Sequence, residues 1–375
     1  LPALLPPSFP ARFPAWNYVW VATMIGGLCV GLSLRWLGLP GEVAFVVDQV
    51  HDPGRIEIKQ TPAMIVASLF SIAAGGSAGP EAPLVQVNGS LGGWLAQKLS
   101  LTAHATRVLT FCGMAAALGA FFGAPLGGAL FALELPHRRS VEYYEALIPA
   151  VLSAILSFVV FRLTTGLSIG GLYQFTSIPP LTLIHLAQAA VLGAIGALVA
   201  LLFVAIFSLV GRVSDRLEQH TVLLATLGGL SIGLIALVFP QTLFFGEREI
   251  KTIIDTGASY GSATLLLIAL AKMVAISCTL HSGFRGGFIF PLFYIGAAVG
   301  LAIAVGFEQI HPTIGMVCLM AAVNVAITKT PISTTVILSV LSDTAMVPVI
   351  VIASFTSFLL TMPLTLIKTQ RSRHD

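Results

Sequence analysis

Long apolar runs with few charges, separated by short polar stretches, dominate the chain. Eight of them, Trp16–Leu39, Val108–Leu135, Tyr143–Leu163, Leu183–Val210, Val222–Phe239, Ala263–Leu280, Phe288–Phe307 and Val347–Ile367, carry few or no Asp, Glu, Lys or Arg. A perpendicular crossing of a bilayer takes about 20 apolar residues. The pattern therefore predicts an all-α integral membrane protein with several spans. Leu183–Val210 exceeds that length and is expected to be tilted. Other runs are punctuated by Gly and Pro, which predicts broken helices rather than simple rods.

Composition agrees with this pattern. Of 375 residues, 56% are hydrophobic and 9% are charged, against about 25% charged in a soluble domain. Mean hydropathy is +0.94. So much apolar surface exceeds what a core of this size can hide, which leaves lipid as the solvent. The placement of charge gives an orientation. Arg138 and Arg139, Arg212 and Arg216, and the terminal Lys368, Arg371 and Arg373 form three basic sites, and residues 165–182 hold no Lys or Arg. By the positive-inside rule the basic sites are cytoplasmic and residues 165–182 are external. Cys29, Cys112, Cys278 and Cys318 lie far apart in apolar runs and read as buried small hydrophobes rather than metal ligands. The eight histidines show no ligand spacing, and His185 reads as a packing residue. No metal, cofactor or nucleic acid is expected.

An internal echo organises the sequence. Gly79-Pro80-Glu81-Ala82-Pro83 and Gly287-Phe288-Ile289-Phe290-Pro291 share Gly-x-x-x-Pro, and each opens an apolar segment with a Gly-x-x-x-Gly pair, Gly89/Gly93 and Gly296/Gly300. Small residues at that spacing let helix backbones approach closely in lipid. Ala124-Pro125 follows Pro83 by about 40 residues, and Thr330-Pro331 follows Pro291 at a similar distance. Upstream, Gly41-Glu42 and Gly246-Glu247 precede the two motifs in the same order. Two halves of one architecture are predicted, residues 16–164 and 165–367, with an N-terminal segment 1–15 and a basic tail 368–375. Repeats with broken helices at matching places mark transporter folds whose site lies between the halves. The reason is electrostatic. The first N–H groups of a helix lack intrahelical partners and carry about half a positive charge, so a helix that starts inside the membrane attracts an anion without Lys or Arg.

These segments resemble the CLC family of chloride channels and chloride/proton exchangers. Residues 79–86 look like its Gly-x-Glu-Gly-Pro motif with the trailing Val-Gln. Gly286–Pro291 resembles its Gly-x-Phe-x-Pro motif, with Phe288 and Ile289 transposed in character. Gly123 through Glu134 is similar to the stretch joining pore to dimer interface. The resemblance implies a homodimer with one pore per subunit, built as a CLC-like inverted repeat of tilted, broken helices in the cell membrane. It implies chloride or another small anion held by the backbone N–H groups of Phe288 and Ile289, with Gly79, Ala82 and Gly287 beside it. It implies that Glu81 is the gating glutamate, the keystone of a voltage-gated or proton-coupled pathway.

The departures are equally specific. No serine stands in Leu37-Gly38-Leu39-Pro40-Gly41-Glu42; ungapped counting puts Pro40 at that place. No tyrosine follows Tyr294, and Thr365 is the substitute hydroxyl. Leu135 occupies the inner glutamate's position, and Glu134 beside it reads as a helix end paired with Arg138 and Arg139. One family helix lies ahead of Trp16, so an upstream segment is expected. The reading is an anion channel or weakly coupled exchanger, with nitrate as an alternative ion and strict anion/proton exchange as an alternative mechanism. A repeat-built transporter for another anion is a second possibility. An intramembrane enzyme is disfavoured, because His-Glu-x-x-His, Gly-x-Ser-x-Gly and carboxylates paired at helical spacing within a span are missing.

Overall fold

The computed structural model describes residues 18–38, 43–137, 143–166, 173–175, 177–363, 367 and 370. Among them are fifteen α-helices: α1 (Val19–Leu37), α2 (Val43–His51), α3 (Thr61–Ala73), α4 (Glu81–Lys98), α5 (Ala103–Phe122), α6 (Pro125–Glu134), α7 (Leu147–Thr165), α8 (Leu183–Ser214), α9 (Thr221–Val238), α10 (Glu247–Thr256), α11 (Gly261–His281), α12 (Ile289–Gly306), α13 (Pro312–Thr328), α14 (Pro331–Leu341) and α15 (Val347–Leu360). Seven helical stretches are long and apolar enough to cross a bilayer. The chain is a multi-pass, all-α membrane protein. α8, with 32 residues, is about 48 Å long at 1.5 Å per residue, so it tilts or projects from a hydrocarbon layer of about 30 Å.

The predicted run Val108–Leu135 is two helices. Gly123 adopts φ 65° and ends α5, and Pro125 then occupies the first turn of α6. The second half repeats the device: Lys329, at φ 61°, ends α13, and Pro331 begins α14. A left-handed residue terminates a helix, and a proline two positions later starts the next where its missing N–H is no loss. The series α4–α7 and α12–α15 thus run in parallel order, with helices of 18, 20, 10 and 19 residues against 18, 17, 11 and 14.

The core sits around α12 and α13. α13 is buried from Thr313 to Thr328 and α12 over nearly its whole length. Apart from the last turn of α12, these helices are buried within the protein, whereas α7 buries only Ala150 and Ala154. The apolar run of α13 escaped the sequence prediction because its 17 residues fall short of a full span. Gly296 and Gly300 are where α12 and α13 touch: a methyl built on Gly300 would lie 2.3 Å from the Gly315 carbonyl oxygen. The predicted small-residue spacing is thus a backbone contact. A smaller core, with Val30, Leu34, Ala67, Ala225 and Ile232 among its members, binds α1 to α3 and α9.

Candidate functional site

The two Gly-x-x-x-Pro motifs meet. Gly79 N–H donates to the Gly287 carbonyl at 2.8 Å and Gly287 N–H returns to the Gly79 carbonyl at 2.6 Å, forming an isolated antiparallel bridge. α4 starts two residues beyond the first glycine and α12 two residues beyond the second. The bridge therefore fixes two helix N-termini side by side, each with N–H groups that have no intrahelical acceptor.

Glu81 is the first residue of α4 and is 1% exposed. Its side chain reaches across the bridge. Oε1 accepts the Phe290 N–H at 3.1 Å, in the first turn of α12, and Oε2 has no hydrogen-bond partner among the described residues. The glycines make room for this. A methyl built on Gly79 would fall 2.0 Å from Oε2, and one on Gly287 2.5 Å from it. Both lie far inside van der Waals contact, so the carboxylate lies where only hydrogen can flank it.

A cavity opens beside Glu81. Its walls are Val46 and Val47 of α2; Ala82 and Val85 of α4; Met114 and Leu118 of α5; Phe131 and Leu135 at the end of α6; Gly287, Phe288 and Ile289 at the start of α12; and Thr328 at the end of α13. Glu81 is the ionisable group among these lining residues. The arrangement suits one chemistry: a small anion, or a carboxylate in its place, held by helix N-termini in an apolar surround.

Of the residues singled out from sequence, Glu81, Ala82, Gly287, Phe288 and Ile289 line this one cavity, and Gly79 adjoins it through the bridge. Pro40 and Thr365 lie outside the described residues, as do Arg138 and Arg139. Val46, Val47, Met114, Leu118, Phe131 and Thr328 were not singled out, because a residue within an apolar run carries no signal of whether it faces a pathway.

Glu134 is buried, 5% exposed, and the arginines expected beside it lie outside the described residues. Its carboxylate accepts the N–H groups of Ile332 (3.1 Å) and Ser333 (2.8 Å) and the Ser333 hydroxyl (2.6 Å). It caps α14, a helix start with unsatisfied donors and positive potential. A buried cation was also missed. Lys272, fully enclosed within α11, donates to the carbonyls of Thr242 at 3.0 Å and Phe244 at 2.7 Å and sits 5.3 Å from the centre of the Tyr294 ring. It holds the turn before α10, in which Phe244 has φ 54°.

Paired, broken helices that aim their N-termini at a shared buried cavity define a membrane transport protein whose substrate is a small anion. More specifically, residues 26–362 match the family described as voltage gated chloride channel, and the chain belongs to this family, the CLC proteins, which are channels or transporters rather than enzymes. It is 28% identical over 374 residues to a chloride/fluoride channel protein of Pseudomonas syringae pv. tomato, covering 96% of this chain and 80% of that one. Among solved structures, it resembles a CLC-type fluoride/proton antiporter (TM-score 0.75, 19% identity, covering 96% of this chain and 99% of the other). It also resembles a slow cyanobacterial chloride/proton antiporter (TM-score 0.78, 22% identity, covering 92% and 84%).

Proposed function

We propose that the chain carries small monovalent anions, chloride first, through the cavity beside Glu81, and that the Glu81 side chain is the gate. The observation that supports this most directly is the Phe290 N–H bond to Glu81 Oε1. A tethered carboxylate occupies a donor at the head of a buried helix, the kind of place a free anion would take. Phe288 and Ile289, which precede Phe290 and line the cavity, supply further backbone donors for the anion. Gly79 and Gly287 act differently. Their N–H groups are committed to each other, so they shape the site rather than bind through hydrogen bonds.

Protonation removes the charge of Glu81 and weakens its hold on α12. Anion flux into proteoliposomes is therefore expected to rise as external pH falls. Glu81→Gln, which mimics the neutral form, is expected to keep flux high at every pH. A Glu81→Gln protein whose flux still follows pH would remove Glu81 from the gate.

Passive or loosely coupled flow is favoured over strict exchange. Leu135, which lines the cavity, has no group to hand a proton to Glu81. Uphill proton movement driven in fixed ratio by a chloride gradient would establish exchange instead. Selectivity follows from the ligands. Backbone N–H donors fit any small monovalent anion, so chloride, bromide and nitrate are expected to differ little. A chloride-over-nitrate preference above about tenfold, or 1.4 kcal/mol, under bi-ionic conditions would point to a selective ligand elsewhere. The active unit is a homodimer assembled through the apolar faces of α6, α7, α14 and α15.

A further inference from the structure

The cavity beside Glu81 has two kinds of wall. One is made of helix starts, Glu81 and Ala82 of α4 and Phe288 and Ile289 of α12; the other includes two helix ends, Leu135 after α6 and Thr328 closing α13. Helix ends present unpaired carbonyls and negative potential, which an anion avoids. One side chain spans both. Gln370, 2% exposed, donates its amide nitrogen to the Leu135 carbonyl at 2.7 Å and to the Thr328 carbonyl at 2.8 Å. Both hydrogens of that nitrogen are thereby used on residues that line the cavity. The Thr328 side chain is occupied separately. Its hydroxyl donates to the Asn324 carbonyl at 2.8 Å and lies 2.6 Å from the Thr330 hydroxyl.

We propose that Gln370 is the closing side chain at this wall, a neutral amide plug that also tunes the small differences among the anions that pass. This rests on reading the cavity as the anion pathway. The plug works by exchange of partners. An amide N–H donates as readily to a small anion or to water as to a carbonyl. An anion leaving the N-termini of α4 and α12 can take over one Gln370 donor, and the amide swings aside without any charge being buried or exposed. While the amide is in place it covers the two carbonyls that would otherwise repel that anion. The plain alternative is that Gln370 only caps the ends of α6 and α13. The two roles differ in what they change: a cap alters stability, whereas a plug alters flux and selectivity.

The test is made in the full chain carrying Glu81→Gln, so that the Glu81 gate is already removed. Chloride and nitrate fluxes are measured in liposomes containing protein checked as monodisperse. Gln370→Ala empties the plug and is expected to raise chloride flux at least threefold and to narrow any difference between chloride and nitrate. Gln370→Met keeps the volume and deletes the donors, and is expected to lower flux below the parent. Gln370→Glu places a carboxylate at the same spot and is expected to lower it at least tenfold. If the alanine protein does not fold, Gln370→Asn, which shortens the reach by one methylene, carries the same expectation of faster flux. Unchanged flux and selectivity in folded Gln370→Ala and Gln370→Met proteins would overturn the proposal and leave Gln370 as a cap. Failure of Glu81→Gln alone to raise flux would count against the gate and not against Gln370.

Discussion

At the residue scale, the site depends on what is missing as much as on what is present. Glu81 reaches the Phe290 N–H because Gly79 and Gly287 carry no side chain. Gly287→Ala is therefore expected to expel the carboxylate, raising anion flux at neutral pH and flattening its pH dependence. The same change in a Glu81→Ala background is expected to do less, since the carboxylate is gone and only the residue-81 Cβ, 3.0 Å from the added methyl, remains; liposome flux of the four proteins forms the cycle that measures this coupling. A second prediction concerns His311, the N-cap of α13. Its Nδ1 accepts the Thr313 N–H at 3.2 Å, so Nε2 carries the hydrogen and donates to the Ser177 hydroxyl at 2.7 Å. Burial, and then the neighbouring His185, holds its pKa below the usual histidine value. The unfolded chain thus takes up the proton more readily. The cap's stability is complete above the unfolded pKa of about 6.5 and is lost as pH falls through the lower, folded value. His311→Ala is expected to cost about 1 kcal/mol at pH 8, while His311→Asn keeps the cap and loses this part of the pH slope. Thermal unfolding in detergent at pH 8.0 and 5.5 reads both.

At the element scale, the repeated unit is a helix that ends in a left-handed residue followed two positions later by a helix-starting proline. Much of this was legible. Ala124-Pro125 and Thr330-Pro331 marked two matching breaks, and Gly79 and Gly287 marked two helix starts that prove to be hydrogen-bonded to each other. Lys329 was not legible as a stop, because its left-handed φ comes from the fold and not from glycine's freedom. Nor was the burial of Lys272, Glu134 and Gln370, since in each case the partner is a backbone group far away in sequence. Backbone groups have no letter in a sequence, so the contact of Glu134 with the start of α14 could not be read from it. Glu134 supplies the cap that α14 lacks. Ser333→Ala removes one of its three donors and leaves the two N–H bonds, so a loss of about 1 kcal/mol is expected. Glu134→Ala, which leaves two buried N–H groups without an acceptor, is expected to cost more. Gly300→Val, aimed at the α12–α13 contact, is expected to prevent recovery of monodisperse protein, as read by size exclusion.

At the scale of the whole molecule, burial is uneven. α13 and all but the last turn of α12 are buried, while α7 exposes Ile148, Leu152, Leu156, Val160 and Leu163, each above half of its free area, and Leu359 and Leu360 of α15 are similarly bare. In lipid such faces need no cover, so exposure alone does not assemble a dimer; packing between close-fitting faces does. Multi-angle light scattering in mild detergent is expected to give twice the 39.3 kDa chain mass, and bulky polar substitutions such as Leu156→Gln to reduce it to one. The bond from Glu81 to Phe290 has a further meaning at this scale. A ligand joined to its own receptor competes at a fixed local strength, on the order of millimolar for a short flexible tether, whatever is dissolved outside. Free anion must exceed that strength to displace it. With Glu81 as the gate proposed above, the pathway is expected to behave as a threshold device: at low salt the tethered carboxylate should inhibit flux, and rising anion concentration alone, at constant pH, should relieve the inhibition. Conductance per ion should grow with the supply of ions, the reverse of ordinary saturation.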